Sequence, residues 1–201
     1  MKKALSIMLF LVLCLVSQVY ANTVINNFGL ASPGSIITFS EYTFPTGTSI
    51  SNQYASLGVT FTPDLFYNVQ PEFFPSDFLA NFDLGTITNS PASIHFNSTQ
   101  TAVAFALMSN PTTTTFTALL NGTIIETFDA TTTYSLLPDL SHASDYYGFQ
   151  NIQFNEIQIL TGSNGAFQID NIQLSNAVPE PSTFLLLGAG LGGLVLLRRR
   201  K

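Results

Sequence analysis

Asp139, His142 and Asp145 stand three residues apart in Pro138-Asp139-Leu140-Ser141-His142-Ala143-Ser144-Asp145, a spacing in which a metal site or a Ser-His-Asp arrangement can be sought. Zinc usually takes three or four His or Cys ligands, and the chain offers only one further histidine, His95, and one cysteine, Cys14. Neither G-x-S-x-G nor H-E-x-x-H occurs. The expected reading of residues 138–145 is therefore a polar surface loop. A glycosidase needs two carboxylates at a defined separation. Eleven carboxylates between Asn22 and Ala177 make some such pair inevitable, so their number argues nothing. With no nucleophile motif and no cofactor motif, the expectation is a protein that is not an enzyme.

Charge is distributed unusually. All six basic residues sit at the two tips: Lys2 and Lys3, then Arg198, Arg199, Arg200 and Lys201. The stretch between holds no lysine or arginine, while its carboxylates are Glu41, Asp64, Glu72, Asp77, Asp83, Glu126, Asp129, Asp139, Asp145, Glu156 and Asp170. The net charge of −6 for the whole chain hides this strongly acidic middle. Nucleic acid is excluded as a partner, because phosphate must be neutralised by basic side chains. Salt bridges within the middle are limited to histidine. Each carboxylate must be solvated, hydrogen-bonded by neutral donors or neutralised by a cation.

The elements that must position these groups read as strands. Ile36 to Phe39, Leu57 to Thr62 and Ala92 to Phe96 are rich in β-branched and aromatic residues. Val103, Phe105 and Leu107 alternate with the small Ala104 and Ala106, and Phe116, Ala118 and Leu120 continue the period of two. Asn121-Gly122 marks a two-residue hairpin turn with its return strand at Thr123 to Asp129. Ile152 and Phe154, Ile157 and Ile159, Phe167 and Ile169, and Ile172 and Leu174 keep a period near two. No stretch from 22 to 178 shows a long helical period. The expected fold class is all-β, a β-sandwich or jelly roll, in one domain over 22–177. The segment Pro63 to Phe82, with six aromatic residues and no clean period, is expected as a long irregular excursion whose rings cover one mouth of the sandwich. With no cysteine after Cys14, no disulfide holds this domain.

The ends differ from the middle. Met1-Lys2-Lys3, an apolar run from Ala4 to Val16 and the small-residue pattern Val19-Tyr20-Ala21 predict a secretory signal peptide over 1–21, cleaved after Ala21. At the other end come Val178-Pro179-Glu180-Pro181, an apolar glycine-bearing run and four basic residues. As a helix the run Phe184 to Leu197 reaches only ~21 Å at about 1.5 Å per residue, short of a ~30 Å hydrocarbon core. Ser182, Thr183 and snorkelling arginines must help a helix over about 182–197 to span. The terminal basic cluster predicts a tip that stays cytoplasmic.

Val178-Pro179-Glu180-Pro181, the glycine-bearing helix and the stop Arg198-Arg199-Arg200-Lys201 together resemble the PEP-CTERM sorting signal of Gram-negative bacteria. The resemblance covers about the last two dozen residues. It implies an exported precursor held at the inner membrane by its tail, handled by the Sec machinery and signal peptidase, and processed near the motif by an exosortase. It also implies a final place in the cell envelope or extracellular matrix and association with extracellular polysaccharide.

A looser resemblance covers about a third of the middle. Ile37-Thr38-Phe39-Ser40-Glu41, Pro45 to Thr48 and Gln53 to Phe61 resemble the opening of many PEP-CTERM ectodomains, and Ala166 to Ile172 their closing strand. Those ectodomains are similar to galactose-binding-like jelly rolls and carbohydrate-binding modules. The resemblance implies a structural Ca²⁺ where first and last strands meet, with Glu41 and Asp170 in the ligand positions; oxygen ligands suit that hard cation. If sugar is bound, Tyr54, Tyr67, Tyr146 and Tyr147 are the candidate stacking residues, since phenylalanine has no polar handle and tryptophan is absent.

Overall fold

Asn121 and Gly122 both take positive φ, 52° and 79°. That is what a type I′ hairpin turn requires, and Asn-Gly meets it at small steric cost. The turn joins two strands of an almost entirely β domain. The computed structural model describes residues 22–69, 77–83, 86–87, 91–133, 145–162 and 165–175. Its strands are β1 (Asn22–Asn26), β2 (Ser35–Ile37), β3 (Ser49–Ile50), β4 (Val59–Thr62), β5 (Leu65–Asn68), β6 (Phe78–Ala80), β7 (Phe82–Asp83), β8 (Thr86–Ile87), β9 (Ala92–Ser109), β10 (Thr112–Leu120), β11 (Thr123–Thr132), β12 (Tyr146–Thr161) and β13 (Phe167–Ser175). A short 3-10 turn spans Ala55–Leu57.

The two longest strands carry the architecture. Near its start β9 pairs with β4 and with the end of β12, Ile94 lying opposite Phe61 and Ile157. Beyond Thr101 it pairs with the start of β12 and with β13. The β9–β12 register shifts between Gln150 and Glu156, where Asn151 adopts φ 62°. Such bulges bend a strand. The second half of β12 is flanked by β10, itself paired with β11, while its first half is flanked by β1. β13 continues the sheet to β6, β5 and β3, and takes β2 along the same edge.

The β10–β11 hairpin packs over the first half of β12 and the second half of β9. Phe116 on β10 stacks between Phe128 at 4.9 Å and Tyr147 at 5.0 Å, with Phe105 at 6.0 Å. Phe128 meets Phe149 at 5.1 Å. One large core joins these rings to Phe61, Phe96, Phe154, Phe167 and Ile169, all buried. The result is consistent with a β-sandwich. A second, smaller core of Val24, Leu30, Phe78, Ala80, Ala104, Ala106, Met108 and Tyr146 forms on the other face of β9 and β13.

Two expectations need correction. The segment Pro63 to Phe82 is not an irregular excursion, since it supplies β5, β6 and the start of the β7–β8 pair. Its strands are short, and Phe78, Leu79 and Ala80 are all fully buried, so no alternation marks them. Its rings do enter the core, as expected, at Tyr67 and Phe78. The strands read separately at 92–96 and 103–107 are one strand, as are 152–154 and 157–159. The signal segment 1–21 and the tail 178–201 lie outside the described residues. Among the described residues no helix is long and apolar enough to cross a membrane.

Candidate functional site

β2 pairs with β13 at Ile37↔Ile172, two residues beyond Asp170, which itself lies opposite Ala106 on β9. Glu41 closes the turn after β2. Its Oε1 accepts the Thr38 backbone N–H at 2.8 Å and the Thr38 hydroxyl at 3.2 Å, in an exposed position. Phe39, between them, sits at φ 61°, a left-handed conformation costing about 1–2 kcal/mol for a non-glycine residue. Its buried ring packs edge-on against Tyr54 at 5.2 Å, and its carbonyl accepts the Tyr54 hydroxyl at 2.9 Å. Those contacts hold the turn.

Asp170 is fully buried. Its Oδ1 accepts the Asn171 N–H at 2.6 Å, at a bulge where Asn171 adopts φ 49°. Glu41 thus accepts from Thr38 in the turn after β2, and Asp170 from Asn171 within β13. The charge of Glu41 contributes to raising the Tyr54 phenol, and that of Asp170 to raising Tyr146. The donors are oxygens, which suits a hard cation, but two carboxylates fall short of the six to eight oxygens Ca²⁺ takes. Among the described residues no group of three or more His, Cys, Asp or Glu side chains is placed to hold a metal ion.

The four candidate stacking tyrosines are in the interior. Tyr54 and Tyr67 are 0% exposed, Tyr147 3% and Tyr146 4%. The Tyr67 hydroxyl donates to Asp77 Oδ2 at 2.5 Å. Burial is the main cause of a raised phenol pKa at all four positions, to about 12 for Tyr67, Tyr146 and Tyr147, and further for Tyr54. A ring with both faces in a core cannot stack on a sugar, so the stacking expectation is corrected. Residue type alone, for Tyr54 in a turn or for Tyr67, Tyr146 and Tyr147 in strands, does not distinguish an inward ring from an outward one.

Of the Asp139, His142 and Asp145 group, only Asp145 lies among the described residues; its carbonyl accepts the Leu107 N–H at 3.1 Å. His95 lies opposite Glu156 across β9 and β12, with Nδ1 3.6 Å from Oε2, an ion pair when the imidazole is protonated. Glu156 also accepts Ser93 Oγ–H at 2.8 Å and Gln158 Nε2–H at 2.9 Å. Three neutral or titratable donors thus replace the missing lysines and arginines at this carboxylate.

A groove of about 190 Å³ lies where β9 and β12 bend, lined by Ser32, Thr101, Gln150, Asn151, Ser175 and the apolar Leu30, Ala31 and Ala102. Sequence reasoning did not reach it, because its residues come from four separate segments and none belongs to a motif. No curated protein matches the chain. Residues 177–201 match the family described as the PEP-CTERM protein-sorting motif, beginning two residues after β13 ends at Ser175. The chain therefore carries a PEP-CTERM protein-sorting motif, the mark of an exosortase substrate.

Proposed function

We propose that this is an exported surface or matrix protein without enzymatic activity, sorted to the cell envelope of a Gram-negative bacterium and associated with extracellular polysaccharide. The observation that carries the reading is the sorting motif at 177–201, placed immediately after an all-β domain. A signal peptide over 1–21 would bring the chain across the inner membrane. The tail helix over about 182–197 would hold the precursor there until the exosortase acts at Val178-Pro179-Glu180-Pro181. The domain is read as a galactose-binding-like jelly roll, with Ca²⁺ held by Glu41 and Asp170. Its acidic, lysine-free surface would meet polysaccharide through neutral hydrogen bonds and bridging cations.

A second reading, a purely structural surface protein with no specific ligand, is favoured by the burial of all four candidate stacking tyrosines. Binding to immobilised envelope polysaccharide separates the two. Saturable binding supports association, and none across a panel of glycans leaves the structural role. Release of reducing sugar from any of them would overturn both in favour of a hydrolase.

A further inference from the structure

Asn22, Gln150, Ala102 and Ser175 are successive partners across β1, β12, β9 and β13. All three pairings are antiparallel, so β1 begins and β13 ends at this one row. Three inter-strand spacings of ~4.8 Å separate the two ends, roughly 14 Å. Asn22 follows directly on the expected signal cleavage site at Ala21. Ser175 precedes Pro179 by four residues, a reach of at most ~14 Å. Both membrane-directed sequences therefore attach at the same end of one layer. The opposite end, with the Asn110-Pro111 turn after β9, lies seven residues further along that strand, ~23 Å away.

The surface chemistry at the attachment end is distinctive. The groove beside the row is lined by hydroxyls, amides and small apolar groups, with no carboxylate. The stretch from Asn22 to Ala177 carries eleven carboxylates, and Asp145 sits toward the far end, bonded through its carbonyl to Leu107. An anionic leaflet repels carboxylates, so this carboxylate-free groove is a surface that tolerates a bilayer, while Glu156, further along β12, is bonded by Ser93 and Gln158.

We propose that in the membrane-held precursor the Asn22–Gln150–Ala102–Ser175 end lies against the lipid surface while the Asn110-Pro111 end points away. The proposal rests on the sorting reading above, and its test separates the two. The full chain, in a Cys14→Ala background, is reconstituted into phosphatidylethanolamine–phosphatidylglycerol vesicles. Single cysteines replace Ser32 or Gln153 at the attachment end, or Asn110 at the far end, all exposed positions. Labelling by a bulky water-soluble maleimide is compared with that of the same chains in detergent. Labelling at Ser32→Cys and Gln153→Cys should slow by about tenfold in vesicles, ~1.4 kcal/mol of lost access, while Asn110→Cys keeps its rate. Equal rates at the two ends, or slowing at Asn110→Cys alone, overturns the orientation. Slowing seen in cells but not in vesicles assigns the contact to a protein and also overturns it. A chain that fails to float with the vesicles defeats the membrane-holding reading itself, and the orientation with it.

Discussion

Raising the pH should unfold this domain from its interior outward. Tyr67, Tyr146 and Tyr147 have phenols moved from the ordinary 10.0 to about 12, chiefly because burial penalises the phenolate. Below pH 10 both folded and unfolded chains keep these protons, and the full stability is present. Between pH 10 and 12 the unfolded chain releases them while the fold must hold them, so stability falls. A gap of two pH units at 1.36 kcal/mol each costs ~2.7 kcal/mol per phenol once the pH has passed 12. Three such groups together approach 8 kcal/mol, comparable to the ~5–15 kcal/mol of a typical domain. Tyr54, raised further, adds to the loss. Phenolate absorbance and far-ultraviolet circular dichroism, followed together against pH, should show these phenols ionising in the same steep step that removes the sheet signal, between pH 10 and 12. Tyr147→Phe supplies the control. It loses a long hydrogen bond to the Thr131 carbonyl, so it should be slightly less stable at neutral pH. That deficit should shrink and reverse as pH climbs past 10. Reversible titration of all the tyrosines near pH 10, with the sheet signal intact at pH 12, would refute the burial argument.

Phe116→Ala empties the stack between Phe128 and Tyr147 and should cost about 3–5 kcal/mol, measured by urea unfolding; a cost under ~1 kcal/mol would mean that the β10–β11 hairpin does not pack as described. Gly148→Ala places a Cβ 2.0 Å from the Val103 carbonyl oxygen on the neighbouring strand. The backbone must shift, and the loss should be at least the ~1–3 kcal/mol of overpacking, read as a fall in melting temperature. Chelation at matched ionic strength should lower the melting temperature if Glu41 and Asp170 hold Ca²⁺, and an unchanged melt removes the ion from the account.

Much of the fold was legible because most core strands alternate. Phe116 and Ala118, or Ile157 and Ile159, announce a half-buried strand by period alone, although a bulge after Ala118 buries Leu119 where the alternation points to Leu120. The Asn121-Gly122 turn was legible for a steric reason, the need for two positive φ values. β1 and the β5–β6 region were not. β1 carries one apolar residue on the buried side, Val24, and β6 is buried throughout, so neither shows a period. The merging of separate runs into β9 and β12 was hidden because bulges at Asn151 and around Gln100 interrupt the alternation while the strand continues. Among functional residues, the sorting motif is contiguous and could be read directly. Glu41 and Asp170 are linked in the sequence only by resemblance, since side-chain direction at a turn and at a bulge cannot be read from residue types. The neutral groove was illegible altogether, because strand register alone assembles it.

Sorting and processing at the motif form the central claim, and the intact mass of the protein recovered from the surface of producing cells tests it most directly. The account predicts a chain that begins at Asn22 and has lost the apolar run and the basic stop beyond Val178-Pro179-Glu180-Pro181, with the unprocessed tail accumulating at the inner membrane when the exosortase is deleted. A surface-located chain that still ends at Lys201, with or without the exosortase, would contradict it.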